Sequence, residues 1–341
     1  MTNLFNLNRL HRIYAALGLL ACAAFAPACV AEGVTGDDEA ELAAGGEETE
    51  LVDSASSAIT DGITASAWMR TRTVSLGNCT GVIISRNHVL TSARCKPVAG
   101  STTVRFYSTS DTPNATVIGV TTVTFKAGVD PWNDDFEDTA GDYADMAVLT
   151  LASPIPSTSA VAGIDLNYPG EDGSGIQVGR GNHNGTVNTT NALKYATNGL
   201  YSDNVDDGYF YTNDELADPG DAGGPIFTHG PFLSGVLSTN TWVAFATRNK
   251  YTSTLYHFNW LLDRIGYTGN SSYSQTLQNR FIDGWPYDLI NGDLRTCKYA
   301  CEHDAQCIAY THVAAPENDC YLFDNMGDGP VTFSGGTVGI K

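Results

Sequence analysis

Basic residues are scarce: 18 Lys and Arg stand against 38 Asp and Glu, for a formal net charge of −20. Nucleic-acid binding needs cationic side chains that neutralise phosphates, and this chain cannot assemble such a surface. Anionic membrane surfaces are excluded as partners on the same ground. Charge of either sign is sparse, at 16% of residues. No segment alternates strand-like runs with long helical ones, which excludes a doubly wound α/β fold. No Cys-x-x-Cys pair occurs, and no internal repeat is visible.

What is present suits short strands joined by turns. Gly, Thr, Ser, Asn and Tyr are plentiful, and 42% of residues are hydrophobic, enough for ordinary packed cores. A chain of 341 residues has room for about two domains. Residues 1–28 read as an export signal: Arg9 and Arg12, an apolar stretch from Ile13, then the small-x-small site Ala26-Pro27-Ala28. Leu19-Leu20-Ala21-Cys22 is similar to a bacterial lipoprotein cleavage box, and Cys29 is the better placed candidate for a lipid anchor. Residues 29–58 hold nine acids between Glu32 and Asp53 without one base. Such a segment cannot bury enough apolar surface to offset its ordering entropy, so it is expected to be a disordered tether.

β-prone runs follow: Gly81–Ile84, Thr102–Tyr107, Val117–Phe125 and Met146–Leu151, with one helical signal at Tyr256–Ile265. Six cysteines lie beyond Cys29, at 79, 95, 297, 301, 307 and 320. An even count in an exported chain predicts three disulfides. Zinc at Cys297-x3-Cys301 is the weaker alternative, and no metal or cofactor is expected. The acidic loop Asp130–Asp138 lacks the Asp-x-Asp-x-Asp-Gly spacing of a calcium loop and reads as solvated.

Three segments carry a family resemblance. Cys79-Thr-Gly-Val-Ile-Ile-Ser-Arg-Asn-His-Val-Leu-Thr-Ser-Ala-Arg-Cys95 resembles the trypsin-like Cys-Gly-Gly-x-Leu-Ile…Leu-Thr-Ala-Ala-His-Cys segment. Asp142-Tyr-Ala-Asp145-Met-Ala-Val-Leu resembles Asn-Asp-Ile-Ala-Leu-Leu, and Pro219-Gly-Asp-Ala-Gly-Gly-Pro225 resembles Gly-Asp-Ser-Gly-Gly-Pro. Ile59-Thr-Asp-Gly62, Gly179-Arg-Gly181, Tyr251-Thr252 and Trp260-Leu261 add weaker matches over residues 59–268. The resemblance implies a mainly β fold, the trypsin-like double six-stranded β-barrel.

The chemistry departs from the family at the decisive positions. A serine protease needs a hydroxyl nucleophile, an imidazole to take its proton, and a carboxylate to orient that imidazole. Arg94 stands at the imidazole position, and a guanidinium with a pKa above about 12 is no base at neutral pH. Ala222 stands at the nucleophile position; only Asp145 keeps its family identity. His88 lies six residues from Arg94 and is a poor substitute base, and no serine lies between Ala217 and Phe227. The resemblance marks Gly220 with Ala222 as the former oxyanion amides, Asp221 as the activation-pocket acid, Leu216 in place of a basic-selective acid, Asp218 in place of a cysteine, and Ser238 as support for Asp145. Arg12 is the last base before Arg70, so trypsin-like cleavage cannot free Ile59 and a zymogen-like state is expected.

Residues 273–341 resemble a small disulfide-rich α+β PAN/apple domain, through Cys297-x3-Cys301-x5-Cys307, Cys320-Tyr-Leu and the closing Gly335-Gly-Thr-Val-Gly-Ile-Lys341. That family implies the pairings Cys297–Cys320 and Cys301–Cys307; the trypsin family implies Cys79–Cys95. Together these readings point to a secreted or cell-surface, non-catalytic binding or adaptor protein. Its partner would be an extracellular protein or carbohydrate ligand of the PAN/apple domain. The alternatives are a serine-type endopeptidase of atypical or residual activity, and a structural surface protein held by lipid at Cys29.

Overall fold

The computed structural model describes residues 59, 62–107, 110–126, 136–167, 173–182, 188, 190–201, 207–243, 246–269 and 273–341. The export signal, the acidic tether, Cys29 and Asp130 to Asp135 of the acidic loop lie outside the described residues. Among those described, no helix is long and apolar enough to cross a membrane.

Strand β1 (Ile63–Thr64) and the short helix α1 (Ala67–Arg70) lead into the first barrel. Its strands are β2 (Thr73–Ser75), β3 (Thr80–Ser85), β4 (His88–Thr91), β5 (Thr103–Phe106), β6 (Val117–Phe125) and β7 (Ala147–Leu151). They close in the order β2-β3-β4-β7-β6-β5. Alternating burial along β5 sends Val104 and Phe106 inward, where they meet Val74, Ile83, Val89 and Leu149.

Strand β8 (Gly163–Ile164) precedes the second barrel. This consists of β9 (Ser174–Gly179), β10 (Lys194–Tyr201), β11 (Tyr209–Thr212), β12 (Pro225–His229), β13 (Phe232–Val243) and β14 (Ala246–Ser253). The antiparallel β9–β10 and β9–β12 pairings close it, with β1 and β8 attached outside the ring. A double six-stranded barrel is thus the observed architecture. A core of buried side chains including Leu90, Met146, Phe227 and Val236 joins the two barrels. Helix α2 (Phe258–Arg264) seals it with Phe258, Leu261 and Leu262.

A second, smaller sheet follows: β15 (Gln275–Ile282), β16 (Asp288–Asn291), β17 (Ala309–Val313), β18 (Asp319–Phe323) and β19 (Pro330–Ile340), in the order β15-β19-β17-β18-β16. Helix α3 (Leu294–His303) packs on it and is capped by Asp293, whose side chain accepts the Thr296 amide at 2.8 Å. Disulfides Cys297–Cys320 and Cys301–Cys307 fasten α3, and Cys79–Cys95 ties β3 to the turn after β4. Two disulfides supply what so thin a core lacks.

Helix α3 also faces the barrels. Tyr299 is 2% exposed, stacks edge-on against Phe258 and Tyr267, and its hydroxyl oxygen accepts the Ile164 amide at 2.8 Å. Tyr267 donates to Glu302 at 2.7 Å, and Arg295 pairs with Asp263. The smaller sheet and its helix are therefore docked on the barrels through a buried aromatic contact.

Candidate functional site

Strand β4 runs antiparallel to β7 with Thr91 opposite Ala147. Just past that end of the ladder, Ser92 and the 3₁₀ turn Ala93–Cys95 come against Asp145. Asp145 is fully buried, and no buried carboxylate is stable without donors. It has four. Oδ1 accepts from Ser92 Oγ at 2.8 Å and the Arg94 amide at 3.0 Å. Oδ2 accepts from Arg94 Nε at 2.7 Å and from Ser238 Oγ. The guanidinium folds back onto the acid rather than out into the cleft, and lies over the Phe136 ring, 4.8 Å from its centroid. Burial, the largest single influence, works to lower the Arg94 pKa, but the Asp145 charge, its hydrogen bond and Tyr143 together outweigh it and the net shift is upward. The group that replaces the imidazole is therefore a fixed cation. It can neither accept a proton nor release one.

Two neighbours complete the cluster. The Tyr143 hydroxyl lies 2.6 Å from Ser238 Oγ, and burial followed by the Asp145 charge raises its pKa to about 12. Lys250 Nζ sits 3.3 Å from the Tyr143 ring centroid and 3.8 Å from that of Tyr209. Burial, then the Arg94 charge, lowers the Lys250 pKa to about 8. Behind them, the buried His257 holds the Tyr143 carbonyl through Nε2 at 2.8 Å.

Ala222 lies on the facing loop. Its carbonyl accepts the Thr80 amide at 2.9 Å, and Thr80 Oγ1 donates to the Gly220 carbonyl at 3.0 Å. Gly220 has a φ of +109°, open to glycine and strained for other residues. The acid of this loop, Asp221, is buried and accepts from the Gly181 amide at 2.6 Å and the Asp218 amide at 2.9 Å. Burial pushes its pKa up to about 8 against the pull of those amides. A Cβ at Gly179 or Gly181 would collide with its carboxylate, which explains the two glycines around Arg180. Ile59 is buried and bridged to Ala217 although the chain runs on upstream of it.

Ser238 supports Asp145 as the resemblance implied. Leu216 is half-buried beside a set of hydrogen bonds that no sequence signal marked. Strands β13 and β14 stay paired out to Val243 opposite Ala246. From them, Asn240 Nδ2 donates to the Ala217 carbonyl at 2.9 Å and to Glu215 at 2.7 Å, and Asn249 Oδ1 accepts the Ala217 amide at 3.4 Å. Asn240 on β13 and Asn249 on β14 thus tie the Leu216 segment to the strand pair that carries Ser238. His88 is engaged with Ser85 at 2.7 Å and pairs across from Thr150, so it takes no part. In the acidic loop, Asp138 binds Lys126 at 2.8 Å. Among the described residues no cluster of three or more His, Cys, Asp or Glu could hold a metal.

The protein family described as Trypsin matches residues 59–261. The chain belongs to the trypsin family. It is similar in fold to mouse neuropsin, a serine protease expressed in the limbic system of the brain, at 19% identity, with 61% of this chain and all of neuropsin covered and a TM-score of 0.51. A scabies mite inactivated protease paralogue, S-I1, matches at 18% identity, 60% and 98% coverage, and a TM-score of 0.47. No curated protein matches. In this trypsin-family member an ion-paired arginine stands at the proton acceptor's position and a methyl group at the nucleophile's. Catalysis by the family mechanism is lost.

Proposed function

We propose that this chain is an exported, non-catalytic serine protease homologue that acts as a binding or adaptor protein. The observation that carries it is the Arg94–Asp145 pair, which fills the place of the catalytic base while Ala222 removes the nucleophile. Loss of triad members leaves at most about 10³–10⁴-fold acceleration over water, far below useful peptide turnover. We read residues 273–341 as a PAN/apple domain that engages an extracellular protein or carbohydrate. A five-stranded sheet, one helix and two disulfides that fasten that helix support the reading. Trp285, 89% exposed on this domain, offers a large aromatic face to such a ligand. Three disulfides among the described residues favour an oxidising compartment.

The test has two arms. Folded protein should take no label from a fluorophosphonate probe; stoichiometric labelling would overturn the loss of catalysis. The intact chain and its Trp285→Ala variant, screened side by side on glycan arrays and against extracellular proteins, should differ in a saturable ligand. No saturable ligand in either screen would overturn the adaptor reading.

A further inference from the structure

A cavity of about 220 Å³ opens between the barrels and the smaller sheet, and none of Arg94, Asp145 and Ala222 lines it. Its apolar wall includes Leu166, Phe232, Ile290 and Leu322. Most of its polar groups present acceptors, and Asn167 adds an amide. On the barrel side, His229 Nδ1 donates to Asp165 Oδ2 at 2.8 Å; Asp165 is 2% exposed and also accepts from Thr228 and Ser234. On the other side, His303 Nδ1 donates to the Tyr299 carbonyl at 2.9 Å, with its ring stacked on that of Tyr299. In the neutral ring, an Nδ1–H committed to an acceptor leaves the lone pair on Nε2. Two imidazoles lining one cavity are held this way, one by a buried carboxylate whose other donors leave it no freedom to turn. The third group is Asp288, whose Oδ1 accepts the Leu289 amide while its Oδ2 has no partner among the described residues.

We propose that this cavity is a binding site for an alkylammonium group, either on a free primary amine or at the end of a lysine side chain. An ammonium carries three donors and no acceptor, matching a lining that offers two imidazole lone pairs and a carboxylate oxygen. The apolar wall takes the alkyl stem, as small-ligand sites generally pair an apolar lining with a few placed polar groups. An anion would face the carboxylates of Asp165, Asp288 and Asp304 here, on a protein that is already strongly negative. The site is independent of the PAN/apple reading, because half of its lining comes from the barrels.

The experiment uses the full chain in mildly alkaline buffer, with binding followed by calorimetry and by ligand-induced thermal stabilisation. Probes are pentylamine, a lysine-containing peptide, pentanol and pentanoate. Pentylamine or the peptide should bind saturably, and pentanol and pentanoate should not; which of the first two binds better distinguishes a free amine from a polypeptide source. Asp288→Asn, which keeps the side-chain shape, should weaken binding about 10- to 100-fold, the loss of one charge-assisted hydrogen bond. His229→Ala should also weaken it, and Asp328→Asn, outside the cavity, should not. Equal binding of pentanol, or wild-type affinity in both Asp288→Asn and His229→Ala, would overturn the proposal, as would failure of both amines to bind.

Discussion

Arg94 Nε lies 2.7 Å from Asp145 Oδ2, and the two side chains are unequal: the arginine is 25% exposed, the aspartate fully sealed. The pair is thus a lid on a buried charge. A retained aspartate without its histidine would be a liability, and the arginine answers it with a planar donor of permanent charge.

Removing that lid tests how much it carries. Arg94→Ala leaves Asp145 with Ser92, Ser238 and the backbone amide of residue 94. The expected cost is therefore about 2–3 kcal/mol, below the roughly 3–5 kcal/mol of a charge stranded outright. Urea denaturation reads it, and an unchanged midpoint would refute the lid.

Restoring the missing chemistry should not restore an enzyme. The double variant Arg94→His/Ala222→Ser still carries the Asn240 and Asn249 bridges to Ala217. Peptide-ester hydrolysis by it is expected to stay at least about a hundredfold below a variant that also carries Asn240→Gly and Asn249→Gly, since misplacement of substrate by about 1 Å costs that much. Equal rates in the two would show that the bridges obstruct nothing.

His257 makes acid a specific threat. Burial lowers its pKa to about 4, against an ordinary value of 6.5. Between those values the unfolded chain binds the proton and the folded one does not, so this stabilisation is complete above about pH 6.5 and drains away as pH falls towards 4. The shift corresponds to about 3 kcal/mol. Stability measured across that window should fall by this amount more in the natural chain than in His257→Gln; parallel curves would mean that the imidazole is not held neutral.

Tyr299→Phe removes only an oxygen, but one that accepts the buried Ile164 amide. An unsatisfied buried donor costs about 1–3 kcal/mol. The loss should appear in the unfolding of the barrels as well as of the C-terminal sheet. A change confined to the latter would show that the contact carries no coupling.

The sequence exposed the catalytic positions because three motifs in fixed order anchor them, and Ser238 and the three disulfides followed from the resemblances. Strand limits were close because the runs are rich in β-branched residues, and Val117–Phe125 reads at its observed bounds. Asn240, Asn249, Tyr143 and Lys250 escaped. They are ordinary residue types whose roles arise from contacts tens of residues apart, and no spacing along the chain encodes such a meeting. The Asp165–His229 pair, separated by 64 positions, was hidden by the same cause.

Helix α3 is a member shared by two structures. One of its faces is riveted by Cys297 to strand β18 and by Cys301 to the loop before β17, while Tyr299 is embedded in the wall of the barrels. A protease that nicked the chain between Gly269 and Tyr273 would sever the covalent thread and release nothing. The fragments would migrate together until a denaturant broke that contact, because no disulfide spans the nick. In an extracellular milieu rich in peptidases, such a molecule would tolerate a broken backbone without losing either half.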